Sequence, residues 1–80
     1  MTDFEFIWDE EPGGNVEPIA ANDLTPEDVI NAYETVTEFT FSRSSGRPAF
    51  YGRALDGRRI FVVYDEIDET AVYVVTAYEV

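Results

Sequence analysis

Asp56-Gly57-Arg58-Arg59-Ile60-Phe61-Val62-Val63-Tyr64 is the stretch that sets the architecture. Asp-Gly is a strong hairpin signal, because a two-residue type I′ turn needs positive φ at both central positions. Ile60 to Tyr64 is apolar on both faces, as a central strand covered from each side requires. Ala49 to Leu55, before the turn, is then its antiparallel neighbour. Ala71 to Tyr78 repeats the two-sided pattern beyond a polar turn over Asp65 to Thr70. Further back, Val36 to Phe41 alternates with period two and sets Thr37, Phe39 and Phe41 on one face. The polar run Ser42-Arg43-Ser44-Ser45-Gly46-Arg47-Pro48 joins it to the next strand.

Upstream of Val36 the period changes to 3.6. Thr25-Pro26-Glu27-Asp28 is a helix start: Thr25 caps, Pro26 brings a preset φ, and two acids face the positive helix end. A helix over 26–35 follows, with Val29, Ile30, Tyr33 and Val36 as its apolar stripe. Asn15 caps a shorter helix carrying Val16, Ile19 and Ala20, and Pro18 is tolerable there because it lies in the first turn. Phe4-Glu5-Phe6-Ile7-Trp8 alternates as a strand with Phe4, Phe6 and Trp8 on one face, closed by the loop Asp9 to Gly14. The predicted fold class is α+β: two short helices on a four- to five-stranded antiparallel sheet, in the order β-α-α-β-β-β-β, as one domain over 1–80.

Composition narrows the chemistry. Cysteine, histidine and lysine are absent from the 80 residues. That excludes disulfides, thiolate and imidazole metal sites, Ser-His-Asp triads, Schiff bases and the P-loop lysine. No apolar run approaches the ~18 residues of a membrane span, and the acidic start is not that of a signal peptide. A cytoplasmic location is therefore expected.

Seventeen acids against five arginines give a net charge of −12. Such a surface repels nucleic acid and anionic membranes alike. The five arginines, Arg43, Arg47, Arg53, Arg58 and Arg59, fall in one segment. Residues 1–42 hold eleven acids and no base, and residues 60–80 hold five acids and no base. One cationic edge on an anionic body follows. Acidity serves solubility; adaptation to high salt, and a surface for a basic partner, are the other readings.

Several local patterns invite functional readings. Asp65-Glu66-Ile67-Asp68-Glu69 clusters carboxylates but lacks the spacing and central glycine of a calcium loop, and reads as a solvated hairpin tip. Asp9-Glu10-Glu11 reads the same way. Carboxylate pairs for acid–base work need an apolar setting that no pair here shows. The serines of the 42–48 run, beside Arg43, Gly46 and Arg47, can hold an anion through backbone N–H groups and guanidinium forks, or simply connect two strands. Phe50, Tyr51, Phe61, Tyr64, Tyr73 and Tyr78 among arginines suit base stacking on a sheet, or a plain β core.

Taken in order, the segments resemble the BrnT group of RelE-like toxins from bacterial toxin–antitoxin pairs. The matching pieces are Phe6-Ile7-Trp8-Asp9-Glu10, Asn15, Leu24-Thr25-Pro26-Glu27-Asp28-Val29, Asp56-Gly57-Arg58 with Phe61-Val62-Val63-Tyr64, and Val75-Thr76-Ala77. The resemblance implies a ribonuclease that blocks translation and is neutralised by an antitoxin. The chain departs from it at charged positions. Ala21-Asn22-Asp23 stands where the family often has Lys-His-Gly, and Tyr78 where it commonly has arginine. The basic C-terminal helix of the family has no counterpart before Val80. Metal-free RNA cleavage needs a base for the 2′-hydroxyl and cations for the phosphorane charge. Arginine supplies the second, and only a carboxylate or tyrosine remains for the first.

The expectation is a degenerate, non-catalytic member acting through protein contacts, with no catalytic residue, metal or cofactor. The candidate anion or partner surface is Arg43, Arg47, Arg53, Arg58, Arg59, Tyr64 and Tyr78. Candidate partners are an antitoxin-like or other protein, or a second copy in a homodimer; a membrane and nucleic acid are not expected. An active ribonuclease toxin is the alternative, and an orphan structural domain that self-associates through an exposed sheet edge a third.

Overall fold

The computed structural model describes residues 4–80. Its element order is β1 (Glu5–Ile7), α1 (Val16–Ala21), α2 (Pro26–Glu34), β2 (Glu38–Phe41), β3 (Pro48–Arg53), β4 (Arg59–Glu66) and β5 (Ala71–Glu79). The strands form one sheet in the order β1-β5-β4-β3-β2. Among the described residues both helices cover one face of the sheet and none covers the other. The α+β order matches the sequence reading, and β4 is the central strand as expected.

One strand direction differs. The three hairpins β2-β3, β3-β4 and β4-β5 are antiparallel, but β1 lies parallel to β5, pairing Phe6 with Val72. The sheet is therefore mixed. Period-two alternation fixes which face a side chain takes, and it carries no information about the direction of a neighbouring strand.

The core between helices and sheet gathers Ile19, Leu24, Val29, Ala32, Phe50, Ile60, Val62, Tyr64, Val72, Val74 and Ala77, with Phe4, Phe6 and Trp8 packed at its side. A bulge lies opposite Val63 and Tyr64, which pair with Thr76 and Val74. The extra residue, Val75, packs with Ala49, Phe61 and Val63 on the helix-free face, so that Val74 and Ala77 can both face the helices.

Three local expectations are corrected. The β3-β4 turn is not type I′, because only Gly57 has positive φ. The Gly57 N–H donates to the Ala54 carbonyl at 3.0 Å and the Ala54 N–H to the Arg58 carbonyl at 2.8 Å. That is a type I turn followed by a left-handed glycine, the three-residue hairpin loop. Asn15 makes no side-chain cap to α1. Its buried amide is used inward instead: Oδ1 accepts from the Asp9 N–H and Nδ2 donates to the Ile7 carbonyl, both at 2.7 Å. Ile30 is not part of the buried stripe and is 39% exposed, while Val29 and Ala32 are buried.

The reason for the third correction is a polar seam. Asp28, Asn31 and Thr35 lie along one side of α2 and tie it to the end of β3. Leu55 N–H donates to Asp28 Oδ1, Asn31 Nδ2 to the Arg53 carbonyl, and Arg53 N–H to Thr35 Oγ1. Those bonds set the rotation of the helix about its axis. The capping box at Thr25 and Asp28 is complete.

The described ion pairs all use arginine: Arg47 with Asp65, and Arg58 with Asp23 and Asp56. Most of the seventeen acids thus face water with no cation to offset them. The melting temperature should rise as sodium chloride goes from ~0.01 M to ~1 M, because the screening length falls from about 30 to about 3 Å and relieves that self-repulsion. A flat or falling melting temperature in calorimetry would contradict it. Among the described residues no helix is long and apolar enough to cross a membrane.

Candidate functional site

The helix-free face is built by strand parity. Odd-numbered residues of β3 and β4 point to it, so Ala49, Tyr51 and Arg53 line up with Val63, Phe61 and Arg59. Tyr78 of β5 stands opposite Phe61, and Glu38 of β2 opposite Tyr51. A row Glu38-Tyr51-Phe61-Tyr78 therefore crosses four strands. Its rings touch in sequence, with centroids 4.7 Å apart for Tyr51 and Phe61 and 5.7 Å for Phe61 and Tyr78. The Arg59 guanidinium lies 4.3 Å above the Tyr51 ring, a cation–π contact that keeps the ring face covered and the guanidinium edge free to bond outward.

This row floors an open groove of about 510 Å³. One wall comes from Phe41, Ser42, Arg43 and Ser44 at the β2-β3 turn, and Thr40, Arg59 and Val80 complete the lining. The groove therefore offers two guanidinium groups, two phenols, several hydroxyls and one carboxylate, Glu38. Such a set binds planar and anionic groups.

The structure separates the candidate residues. Arg43, Arg59 and Tyr78 meet in the groove. Arg53 stands opposite Arg59 in register, but its Nη1 donates to the Gly57 carbonyl at 2.8 Å. Arg47 holds Asp65 through Nε at 2.8 Å. Two candidates leave the surface altogether. Arg58 is the chain neighbour of Arg59 and so points to the other side of the sheet. There its Nε donates to Asp56 Oδ2 at 2.7 Å and its Nη2 to the Asp23 carbonyl at 3.0 Å. Burial acts to lower its proton affinity, but Asp56, Asp23 and Glu79 outweigh that and raise it. Arg58 is a clasp between the β3-β4 turn and the α1-α2 connection.

Tyr64 lies in the core under the helices, 5% exposed, with its ring against Phe4 and Phe50. Burial pushes its phenol pKa up, and Glu66 and Tyr33 add to the effect. It is a neutral packing residue and cannot serve the groove. Tyr51 and Phe61 were the site residues hidden among the aromatics. Their equal parity on two paired strands was the signal that could have singled them out.

A second groove, about 460 Å³, lies on the helix side between β1 and α2, lined by Phe4, Phe6, Trp8, Ile30, Tyr33 and Glu34. Its lining is mostly aromatic, and the exposed Ile30 stands among it.

No protein-family model matches the chain, and no curated protein or solved structure matches it either.

Proposed function

We propose that the chain is a non-catalytic, protein-binding relative of the BrnT/RelE-like toxins, whose helix-free sheet face receives the partner. The observation that carries this reading is the row Tyr51-Phe61-Tyr78 with Arg59 stacked on it. Tyrosine, phenylalanine and arginine are the residue types enriched at the centres of protein interfaces. Here they sit side by side, with exposed Tyr78 and Arg59 and half-buried Tyr51 around a buried Phe61, in a chain with a net charge of −12. That charge lowers the local concentration of RNA and leaves protein partners accessible. The chain has no histidine or lysine side chain to move a proton or clamp a phosphate. Losing one well-placed general acid or base forfeits about 10²–10⁴ in rate, and losing an electrostatic stabiliser costs a similar factor.

The second reading, an active ribonuclease, is favoured by one observation: Arg43, Arg59 and Tyr78 converge on the same groove. The two are separated by expressing the native chain in a bacterial host and incubating the purified protein with ribosomes and messenger RNA. Growth and transcripts should be unaffected. Nuclease-treated lysate should yield a protein that co-purifies with the native chain and is lost with a Tyr51→Ala, Arg59→Ala variant. Transcript cleavage that disappears in an Arg43→Ala, Arg59→Ala variant would replace this reading with the toxin.

A further inference from the structure

We propose that a second copy of this chain pairs antiparallel along the free edge of β2, with Thr40 opposite Thr40 and Phe39 opposite Phe41 of the second copy. The inference rests on the strand edge and not on the proposed function, although Glu38, Thr40, Phe41 and Arg43 also line the groove.

Among the described residues β2 has a neighbouring strand on one side only. The Ser42 N–H donates to the Arg47 carbonyl across the β2-β3 hairpin at 2.7 Å. In an antiparallel pair such bonded positions alternate, so Ser42, Thr40 and Glu38 use their backbone groups toward β3. The N–H and C=O groups of Phe39 and Phe41 then point outward from the sheet. Edge strands are normally guarded by proline, lysine, a bulge or shortness. β1, the opposite edge, is short and runs straight into Asp9-Glu10-Glu11-Pro12. β2 is four residues long, one more than β1, and reads Glu-Phe-Thr-Phe with neither proline nor lysine. Its phenylalanines are 54% and 68% exposed.

The choice of a second copy follows from charge and symmetry. Two bodies of charge −12 repel over most of their surface. The β2 edge is the exception, because Glu38 begins the strand and Arg43 follows its end. Antiparallel self-pairing sets Glu38 of each copy opposite Ser42 of the other, with Arg43 the next residue along and within the reach of a long side chain, twice. A two-fold axis through Thr40 also lets the outward groups of Phe39 and Phe41 satisfy those of the other copy in four backbone hydrogen bonds. It stacks two Phe39–Phe41 pairs on the helix side of the joined sheet, an arrangement that stabilises strand pairing. Phe39 is already positioned, its ring 5.8 Å from Phe50 and 6.5 Å from Phe4, so little freedom is lost on docking.

Sedimentation equilibrium over a range of concentrations tests the proposal, with circular dichroism to monitor folding. The native chain should show a species of twice 9.1 kDa. Phe41→Pro removes an outward N–H and leaves the bonds to β3 in place; dissociation should become about 100-fold easier, from two lost hydrogen bonds and disrupted ring pairs. Thr40→Cys introduces the only cysteine into a chain that has none. A non-hydrogen-bonded cross-strand pair has its Cα atoms ~4.5 Å apart, within disulfide reach. Oxidation should give a covalent dimer for Thr40→Cys and not for Glu38→Cys, whose copies lie at opposite ends of the pairing. If Phe41→Pro unfolds, the cysteine pair decides. A native chain that stays at 9.1 kDa overturns the proposal, as does a dimer indifferent to Phe41→Pro in a folded variant, or cross-linking at Glu38→Cys instead of Thr40→Cys.

Discussion

Gly52→Ala should lower the melting temperature by about 12–24 °C. Gly52 lies in β3 where α2 crosses it, and a Cβ built there overlaps the Ala32 carbonyl oxygen and approaches the carbonyl carbon to 2.6 Å. Both groups are backbone, so neither can swing aside as a long side chain would. The helix is also bolted to β3 on either side of this point by Asn31 and Thr35, which opposes the shift needed to make room. Overpacking in a close-packed core typically costs ~1–3 kcal/mol, and the immovable neighbour puts this case at about 3 kcal/mol. In a domain of this size ~1 kcal/mol moves the melting point by about 4–8 °C. Gly57→Ala is the control: its φ is +93° but nothing crowds its Cβ, so only the strain of a left-handed residue is incurred, about 1 kcal/mol. Thermal unfolding by circular dichroism measures both. A Gly52→Ala protein as stable as the Gly57→Ala protein would show that α2 relaxes away from β3.

Asp28→Ala should cost a similar ~3 kcal/mol, for an electrostatic reason. The side chain is 8% exposed and accepts from the Thr25 N–H at 3.0 Å, from Thr25 Oγ1 at 3.1 Å and from the Leu55 N–H at 2.9 Å. Truncation removes the carboxylate partner of donors at two places in the chain, and a hydrogen bond to a charged group contributes ~1.5–3 kcal/mol. Thr25→Ala removes only the cap and should cost about 1 kcal/mol. Burial alone would raise the Asp28 pKa, but the bonds from Leu55 and Thr25, with Arg58 nearby, outweigh it and hold the carboxyl below its ordinary 3.8. A carboxyl depressed in the folded state stabilises it at every pH above the unfolded value. That contribution is lost as pH falls below 3.8 through the folded value. Asp28→Asn should therefore be less stable at neutral pH and lose less on acidification. Equal acid sensitivity of native and Asp28→Asn proteins in urea titrations would contradict this.

The elements were legible where a residue's local chemistry decides its conformation. Thr25-Pro26 started α2, and the two-sided apolar runs placed β4 and β5 in the middle of the sheet. What escaped was decided by partners distant in the chain. Asn15 resembles a cap but is recruited by Ile7 and Asp9. Ile30 fits the apolar stripe until the seam of Asp28, Asn31 and Thr35 turns the helix. Val75 breaks the alternation of β5, so parity counted from Ala71 fails beyond it. The candidate site was legible as a cluster in sequence and not as a surface. Arg58 and Arg59 are adjacent, yet strand geometry sends one to a clasp and the other to the groove. Tyr64 had the right residue type on the wrong face.

The parallel pairing of β1 with β5 imposes an order on biosynthesis. Phe6 is translated before its partner Val72, with the other three strands and both helices between them. At ~5–20 residues per second that interval lasts several seconds. Throughout it the nascent chain displays Phe4, Phe6 and Trp8 without the strand that shelters them. The hairpins β2-β3 and β3-β4 can close as they appear, whereas β1, made before them, docks only after β5. A stall late in translation would thus release a chain whose sheet lacks one border and whose aromatic leader is bare, the kind of segment chaperones bind. Asp9, Glu10 and Glu11 directly follow that segment, and charges flanking an apolar strand disfavour its aggregation while it waits for a place in the sheet.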